Sequence, residues 1–152
     1  MTFRTERLIP FGPEVVYEAF AQREVLARWW GPNGFSNTFE LFEFQAGGRW
    51  KFVMNGPNGA QFPNESTFRE VSASTIVIQH LSKPHYVLTI RLTGQQGGTL
   101  VMWNQEFADA NVAARIRHIV EPANEQNLDR LDRKSTRLNS SHVSESRMPS
   151  SA

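Results

Sequence analysis

The spacing of hydrophobic and polar residues changes twice along this chain, which predicts a helical segment near the start, a long run of strands and a helical end. Residues 3–9 (FRTERLI) predict a first strand. Residues 13–21 begin with a proline, which suits a first helical position, and their apolar residues recur at helical spacing. A second short helix is predicted over residues 23–30, because Gly31–Pro32 is a typical helix stop.

From residue 37 onward, apolar side chains recur at every second position, which is typical of strands with one buried face. Residues 49–55 show this most clearly, since Trp50, Phe52 and Met54 fall on one face and Arg49 and Lys51 on the other. Further strands are predicted at about residues 37–44, 65–71, 75–81, 85–93 and 99–107. The short turns between them indicate an antiparallel meander.

The chain returns to helical spacing after the last strand. Asp109 is placed to cap a helix whose apolar residues include Ile116 and Val120. Pro122 predicts an interruption and the start of another helix, with Leu128 and Leu131 on its inner face. The predicted fold class is therefore α+β, with a long antiparallel sheet folded against helices.

Residues 134–152 have a different composition from the rest of the chain. Seven of them are serine and none is aromatic, so this segment buries too little apolar area to offset its ordering entropy. It also looks like translated adapter sequence. We expect residues 1–133 to form one domain and residues 134–152 to be a disordered tail of non-native sequence, in which case the native final helix is cut short near Leu131.

The overall composition excludes several classes of function. The formal net charge is +1 and residues 1–133 contain no basic run, which argues against nucleic-acid binding. The chain has no cysteine, so no disulfide or thiolate site is possible. Neither a signal peptide nor an apolar run of about 18 residues is present, so we expect a cytoplasmic protein without membrane insertion. With 11 Phe and 4 Trp against 2 Tyr, the interior should be large and dry.

Four segments resemble bacterial members of the SRPBCC, or START-like, superfamily. They are ARWWGPNGF (27–35), AGGRWKFVMNGPNG (46–59), FPNESTFREV (62–71) and PANEQNLDRL (122–131). The resemblance is greatest to the group homologous to the C-terminal domain of the activator of heat-shock-protein-90 ATPase, and it covers about residues 3–131. It implies a helix-grip fold, in which a curved antiparallel sheet wraps around a long C-terminal helix and an apolar cavity lies between them.

The resemblance implies less about function than about fold, because the superfamily includes lipid and hormone carriers, polyketide cyclases and aromatases. Bacterial members often carry the ATPase-activator name without acting on a chaperone. No cofactor is predicted for this sequence.

Alternating side chains on the predicted strands suggest the wall of a ligand cavity. If the faces of these strands converge, the wall is aromatic with a few polar groups, which is the usual composition of a small-ligand site. Ordinary core packing explains the same pattern equally well. The candidate ligand-binding residues are Trp50, Phe52, Met54, His80, Trp103 and Gln105, with Trp30 and Phe35 at the cavity edge.

His80 is the candidate catalytic residue, because it ends an apolar face and titrates in a range that suits a general base. An internally bonded histidine at a strand end is the simpler interpretation. Glu65, at a strand start, is a weaker acid–base candidate. His80 and His85 lack an accompanying carboxylate pattern, so no metal site is predicted.

Three functions remain open at this stage. The first is binding of a small apolar or aromatic molecule between the sheet and the last helix. The second is a cyclase-like or aromatase-like enzyme that uses His80. The third is a protein-interaction role of the chaperone-ATPase-activator type, which should show an apolar and basic patch on the outer face of the sheet. The predicted outer residues Arg49, Lys51 and Arg69 are too scattered to form such a patch.

Overall fold

The fold, taken from a computed structural model, consists of one antiparallel sheet and three helices. The structure describes the backbone of residues 1–151 and the side chains of residues 1–138. The strands are β1 (Thr2–Ile9), β2 (Ser36–Phe42), β3 (Arg49–Asn55), β4 (Gln61–Val71), β5 (Thr75–His80), β6 (Tyr86–Gln95) and β7 (Gly98–Phe107). The helices are α1 (Pro13–Ala21), α2 (Arg23–Trp29) and α3 (Ala110–Ser151).

The seven strands lie in the order β1-β7-β6-β5-β4-β3-β2, and every neighbouring pair is antiparallel. Strands β2 to β7 form the predicted meander, and β1 returns to pair with β7. The helices α1 and α2 connect the two edge strands, β1 and β2. This arrangement confirms the predicted α+β class and the helix-grip fold.

The register shows which side chains share the inner face of the sheet. Trp50 is opposite Ser66, Ser66 is opposite His80, and His80 is opposite Tyr86, which is opposite Phe107. Because directly opposed residues point to the same side of a sheet, this row crosses the inner face from β3 to β7. The core on this face includes the fully buried Trp50, Phe68, Ile76, Ile90 and Trp103.

A bulge in β2 places more aromatic area on this face than strict alternation allows. The pairing with β3 shifts between Phe39 and Leu41, so Phe39 and Phe42 both contact Trp50. An extra residue in one strand has this effect because the side-chain period is two.

The C-terminal region is one helix rather than the two that Pro122 predicts. Proline removes one helical hydrogen bond, but packing on both sides of it compensates: Ile116 and Val120 pack beside the Phe3–Phe107 cluster, and Leu128 belongs to the main core. The predicted N-cap is confirmed, since the backbone NH of Asn111 donates to Oδ1 of Asp109 over 2.9 Å.

Polar contacts hold α3 against the edge strand β1. Arg7 donates to Asp129 over 2.6 Å and to Glu125 over 3.2 Å, and Thr5 also donates to Glu125. These three hydrogen bonds join the middle of β1 to α3 and so help to position the helix along this strand.

The helix continues beyond Leu131, where sequence reasoning expected the native part to end. Ser135 is fully buried and Leu138 packs against the core. The prediction of a disordered, non-native tail concerns residues 134–152, most of which lie outside the described side chains.

Candidate functional site

A cavity of about 510 Å³ lies between the inner face of the sheet and α3. This volume is within the range of about 300–1,000 Å³ that is usual for small-molecule sites. Its wall is mainly apolar and aromatic, with several amide side chains. The wall residues contributed by α3 are Ile119, Val120, Ala123, Asn124 and Asn127, and those from the sheet include Met54, Phe62, Tyr86, Leu88 and Trp103.

Six of the eight residues predicted to bind a ligand lie in this wall. They are Trp30, Phe35, Met54, His80, Trp103 and Gln105. The structure places the other two, Trp50 and Phe52, in the core beside the cavity. Their rings stack with centroids 4.3 Å apart, and Trp50 also packs at 5.0 Å from Trp30.

The two neighbouring tryptophans at the end of α2 have different environments. Trp29 is fully buried and its Nε1 donates to the carbonyl of Ala19 over 2.8 Å, so it joins α2 to α1. Trp30 faces the cavity and lies between Trp50 and Trp103. Trp29 therefore belongs to the core, and Trp30 belongs to the cavity wall.

Arg130 of α3 holds the loop after α2 in place. Its guanidinium donates to five backbone carbonyls, which belong to Arg28, Trp30, Gly31, Pro32 and Phe35, at 2.7–3.4 Å. Burial and the nearby Arg133 lower the pKa of Arg130, but a guanidinium stays charged at neutral pH. Charge-assisted bonds of this kind are stronger than neutral ones, so α3 fixes one wall of the cavity through a single side chain.

A second side chain of α3 supports the same loop. Oδ1 of Asn127 accepts from the backbone NH of Gly31 over 2.8 Å. Gly31 has a positive φ of 99°, a backbone conformation that L side chains rarely adopt, so the conformation favours glycine.

His80 is buried at the end of β5, and protein groups engage both of its ring nitrogens. Nδ1 donates to the carbonyl of Pro84 over 2.8 Å, and Nε2 lies 2.6 Å from Oδ1 of Asn64. The ring stacks on Tyr86 with centroids 4.4 Å apart. Burial lowers the pKa of His80; the bond to Pro84 opposes this and the charge of His85 adds to it.

Two amide side chains meet inside the cavity wall. Nδ2 of Asn124 on α3 donates to Oε1 of Gln105 on β7 over 3.1 Å. Both residues are buried, at 7% and 8% exposure respectively. This bond is the direct polar link between helix and sheet inside the cavity.

Sequence reasoning did not identify the contribution of α3. Asn124, Asn127 and Arg130 belong to the helix predicted after Pro122, of which only the leucines Leu128 and Leu131 were assigned to the inner face. The available signal was that Asn124 and Asn127 each lie four residues before a buried leucine, Leu128 and Leu131, because side chains three or four residues apart share a helix face. Glu65, the weaker acid–base candidate, pairs with Arg49 over 3.0 Å and is not in the cavity wall.

Two further observations concern the described part of the chain alone. Within it, no group of three or more histidine, aspartate or glutamate side chains is placed to hold a metal ion. In the same residues, no helix has an apolar stretch long enough to cross a bilayer.

Solved structures with the same fold come from several bacteria. A protein from Nitrosomonas europaea superposes with a TM-score of 0.81 at 16% identity, covering 90% of this chain and 95% of that chain. A protein from Arthrobacter aurescens has a TM-score of 0.81 at 18% identity, with 90% and 86% covered. An AHSA1-like protein from Aeromonas hydrophila has a TM-score of 0.71 at 19% identity, with 91% and 94% covered.

The identities to these structures are low, so they establish the fold and not a shared ligand. No curated protein matches the sequence. The family described as activator of Hsp90 ATPase homolog 1-like protein matches residues 10–134, which include every strand after β1, both connecting helices and the cavity-lining part of α3. The chain belongs to this activator of Hsp90 ATPase homolog 1-like family.

Proposed function

We propose that this protein binds a small, mainly apolar molecule in the cavity between the sheet and α3. The observation that carries the proposal is the cavity itself, about 510 Å³ of space beside a core that is otherwise filled by interlocking aromatic rings. Protein interiors are close-packed, and empty apolar space lowers stability. A fold that packs Trp50, Phe52 and Phe68 together but leaves this space beside them is consistent with an occupant.

The edge of the cavity supports the same proposal. Phe62 and Ile119 line it and are 49% and 59% exposed, although both are large apolar side chains. A ligand seated between them would remove apolar surface from water. Burial of about 200 Å² of ligand surface contributes roughly 5 kcal/mol before entropy costs, and this contribution alone corresponds to a Kd of about 0.2 mM. We also propose a cytoplasmic location, which the absence of cysteine supports.

The other two functions have less support. A cyclase-like reaction with His80 as general base requires a free ring nitrogen, whereas both nitrogens are engaged by Pro84 and Asn64. A chaperone-type interaction requires an apolar and basic outer patch, whereas Arg49 on that face pairs with Glu65. The binding proposal therefore has the most support of the three.

Native mass spectrometry of the protein purified from cells tests the proposal. We expect a bound small molecule that is released on denaturation. In a variant with the cavity filled, Ala123→Phe, the molecule should be absent, because Ala123 lies in the wall on α3. Ala114→Phe, on the exposed face of the same helix, is the matched control and should retain it. Equal amounts of the molecule in the two variants would contradict a site in this cavity.

A further inference from the structure

The amide pair Gln105–Asn124 leaves two hydrogen-bonding groups without partners. The bond between them uses Oε1 of Gln105 and one hydrogen of Asn124 Nδ2. Among the described residues, the Nε2 amino group of Gln105 and the Oδ1 carbonyl of Asn124 have no hydrogen-bond partner. Both atoms keep some solvent-accessible surface. Both side chains are more than nine-tenths buried and both line the cavity.

The inventory of unpartnered groups is thus one amino group, which donates, and one carbonyl group, which accepts. If both amides turned over, Gln105 would donate to Asn124, and the free groups would be the Gln105 carbonyl and the Asn124 amino group. The inventory is therefore the same in both arrangements. A ligand group that satisfies it must both accept and donate a hydrogen bond.

The cavity wall carries little charge, which favours a neutral ligand. Among its described lining residues, the one with a permanent charge is Lys83, which is exposed. An ionised carboxylate accepts but cannot donate, so at the amide pair it would face a carbonyl oxygen without a proton between them. Burial of such a charge away from a cation is also costly. The one histidine among the described residues of the wall, His80, already has partners on both ring nitrogens.

We infer that the ligand is a neutral molecule that places a hydroxyl group between Gln105 and Asn124, with its apolar body against Trp30, Trp103 and Leu88. This inference rests on the proposed function, since it specifies the ligand class of the same cavity. The hydroxyl accepts from the free amino group and donates to the free carbonyl, which satisfies both buried amides.

Three probes of one shape test the inference: naphthalene, 2-naphthol and 2-naphthoate, each titrated at pH 7 by isothermal calorimetry or tryptophan fluorescence. Two buried neutral hydrogen bonds should make 2-naphthol bind about tenfold more tightly than naphthalene. The carboxylate probe should bind more weakly than 2-naphthol, because it can accept from the free amino group but offers no proton to the free carbonyl, and burial of its charge away from a cation is costly.

The double variant Gln105→Met/Asn124→Leu removes the pair while keeping its volume. Replacing both partners by apolar groups of similar shape leaves no unpaired amide, so the fold should be retained, as checked by circular dichroism and thermal melting. In this variant, naphthalene and 2-naphthol should bind with nearly equal affinity. The matched control Gln79→Met/Asn104→Leu changes the same residue types on the outer face of the sheet and should keep the preference.

The outcomes separate this inference from the proposed function. If naphthalene binds but 2-naphthol has no advantage, or keeps its advantage in the double variant, the hydroxyl site is wrong and the cavity still binds apolar molecules. If 2-naphthoate binds most tightly and Lys83→Met abolishes this, the ligand is an anion held at the rim and the inference is overturned. If none of the three probes binds, the proposed function fails and the inference fails with it.

Discussion

The indole rings of Trp30 and Trp103 lie 5.6 Å apart between centroids, which joins the end of α2 to strand β7 in the wall of the cavity. Trp30 also contacts Trp50 of β3, so one side chain connects two distant strands of the sheet. The shape of the cavity depends on this contact, because the loop that follows Trp30 forms the adjacent wall.

Substitution of Trp30→Ala should therefore affect both stability and binding. Loss of a buried tryptophan side chain, 6% exposed, is expected to lower the free energy of unfolding by about 3–5 kcal/mol, measured by urea denaturation. Affinity for 2-naphthol should fall as well, because one wall of the cavity is removed. Retention of both stability and affinity would contradict the role assigned to the Trp30–Trp103 contact.

Arg130→Met should loosen the loop after α2 without removing apolar area. Five backbone carbonyls lose their charged donor, and buried unpaired carbonyls are costly, so we expect a loss of about 2–4 kcal/mol in unfolding free energy. Hydrogen–deuterium exchange should increase at the backbone amides of residues 31–35. Arg133→Met is the control, since Arg133 is exposed on the same helix; an equal effect there would show that loss of charge alone is responsible.

Phe62→Ser should weaken ligand binding with little change in stability. Phe62 is half exposed, so removing its ring should lower the free energy of unfolding only a little. A bound molecule would lose the apolar contact that Phe62 provides in the cavity wall. We expect a severalfold increase in the Kd of 2-naphthol and a melting temperature within about 2 °C of the wild type. Leu81→Ser, which removes a similarly exposed apolar side chain outside the cavity wall, should leave Kd unchanged.

Stability should decrease in mildly acidic solution because of His80. Its pKa in the folded protein is below the ordinary value of 6.5, mainly through burial, so the unfolded chain takes up a proton first as the pH falls. The contribution is fully present above pH 6.5 and declines as the pH falls below that value toward the folded pKa.

The measurement is the difference in unfolding free energy between pH 7.5 and pH 5.5, compared with a His80→Gln variant. The variant should show a smaller difference than the wild type. His118→Gln, which changes an exposed histidine of α3, should behave like the wild type. A wild-type pH dependence in the His80→Gln variant would show that other groups are responsible.

The sheet was predictable from the sequence because its signals are local. Alternation over residues 49–55 and the turns at about ten-residue spacing define strands without reference to distant contacts. The bulge in β2 was not predictable, because a shifted register between Phe39 and Leu41 depends on the partner strand. The helix break predicted at Pro122 was wrong for a related reason. The packing of α3 on both sides of Pro122 outweighs the helical hydrogen bond that the proline removes.

On the sheet, the cavity wall was predictable only where strand alternation indicates a face. Trp103 and Gln105 followed from the period of β7, but the period cannot separate wall from core, and Trp50 and Phe52 lie in the core. Asn127 and Arg130 on α3 act across 96 and 99 residues of sequence in their bonds to Gly31. Such pairings depend on how the helix crosses the sheet, which no local pattern specifies.

The indole NH signals of the four tryptophans offer the most direct test of a ligand site in the cavity. Each signal can be assigned by tryptophan-to-phenylalanine substitution and followed by ¹H–¹⁵N NMR during titration with 2-naphthol. The signals of Trp30 and Trp103 should shift in a saturable way, while that of Trp29, hydrogen-bonded to Ala19 away from the cavity, should not move. Saturable binding that leaves Trp30 and Trp103 unchanged, or no binding at all, would contradict the account.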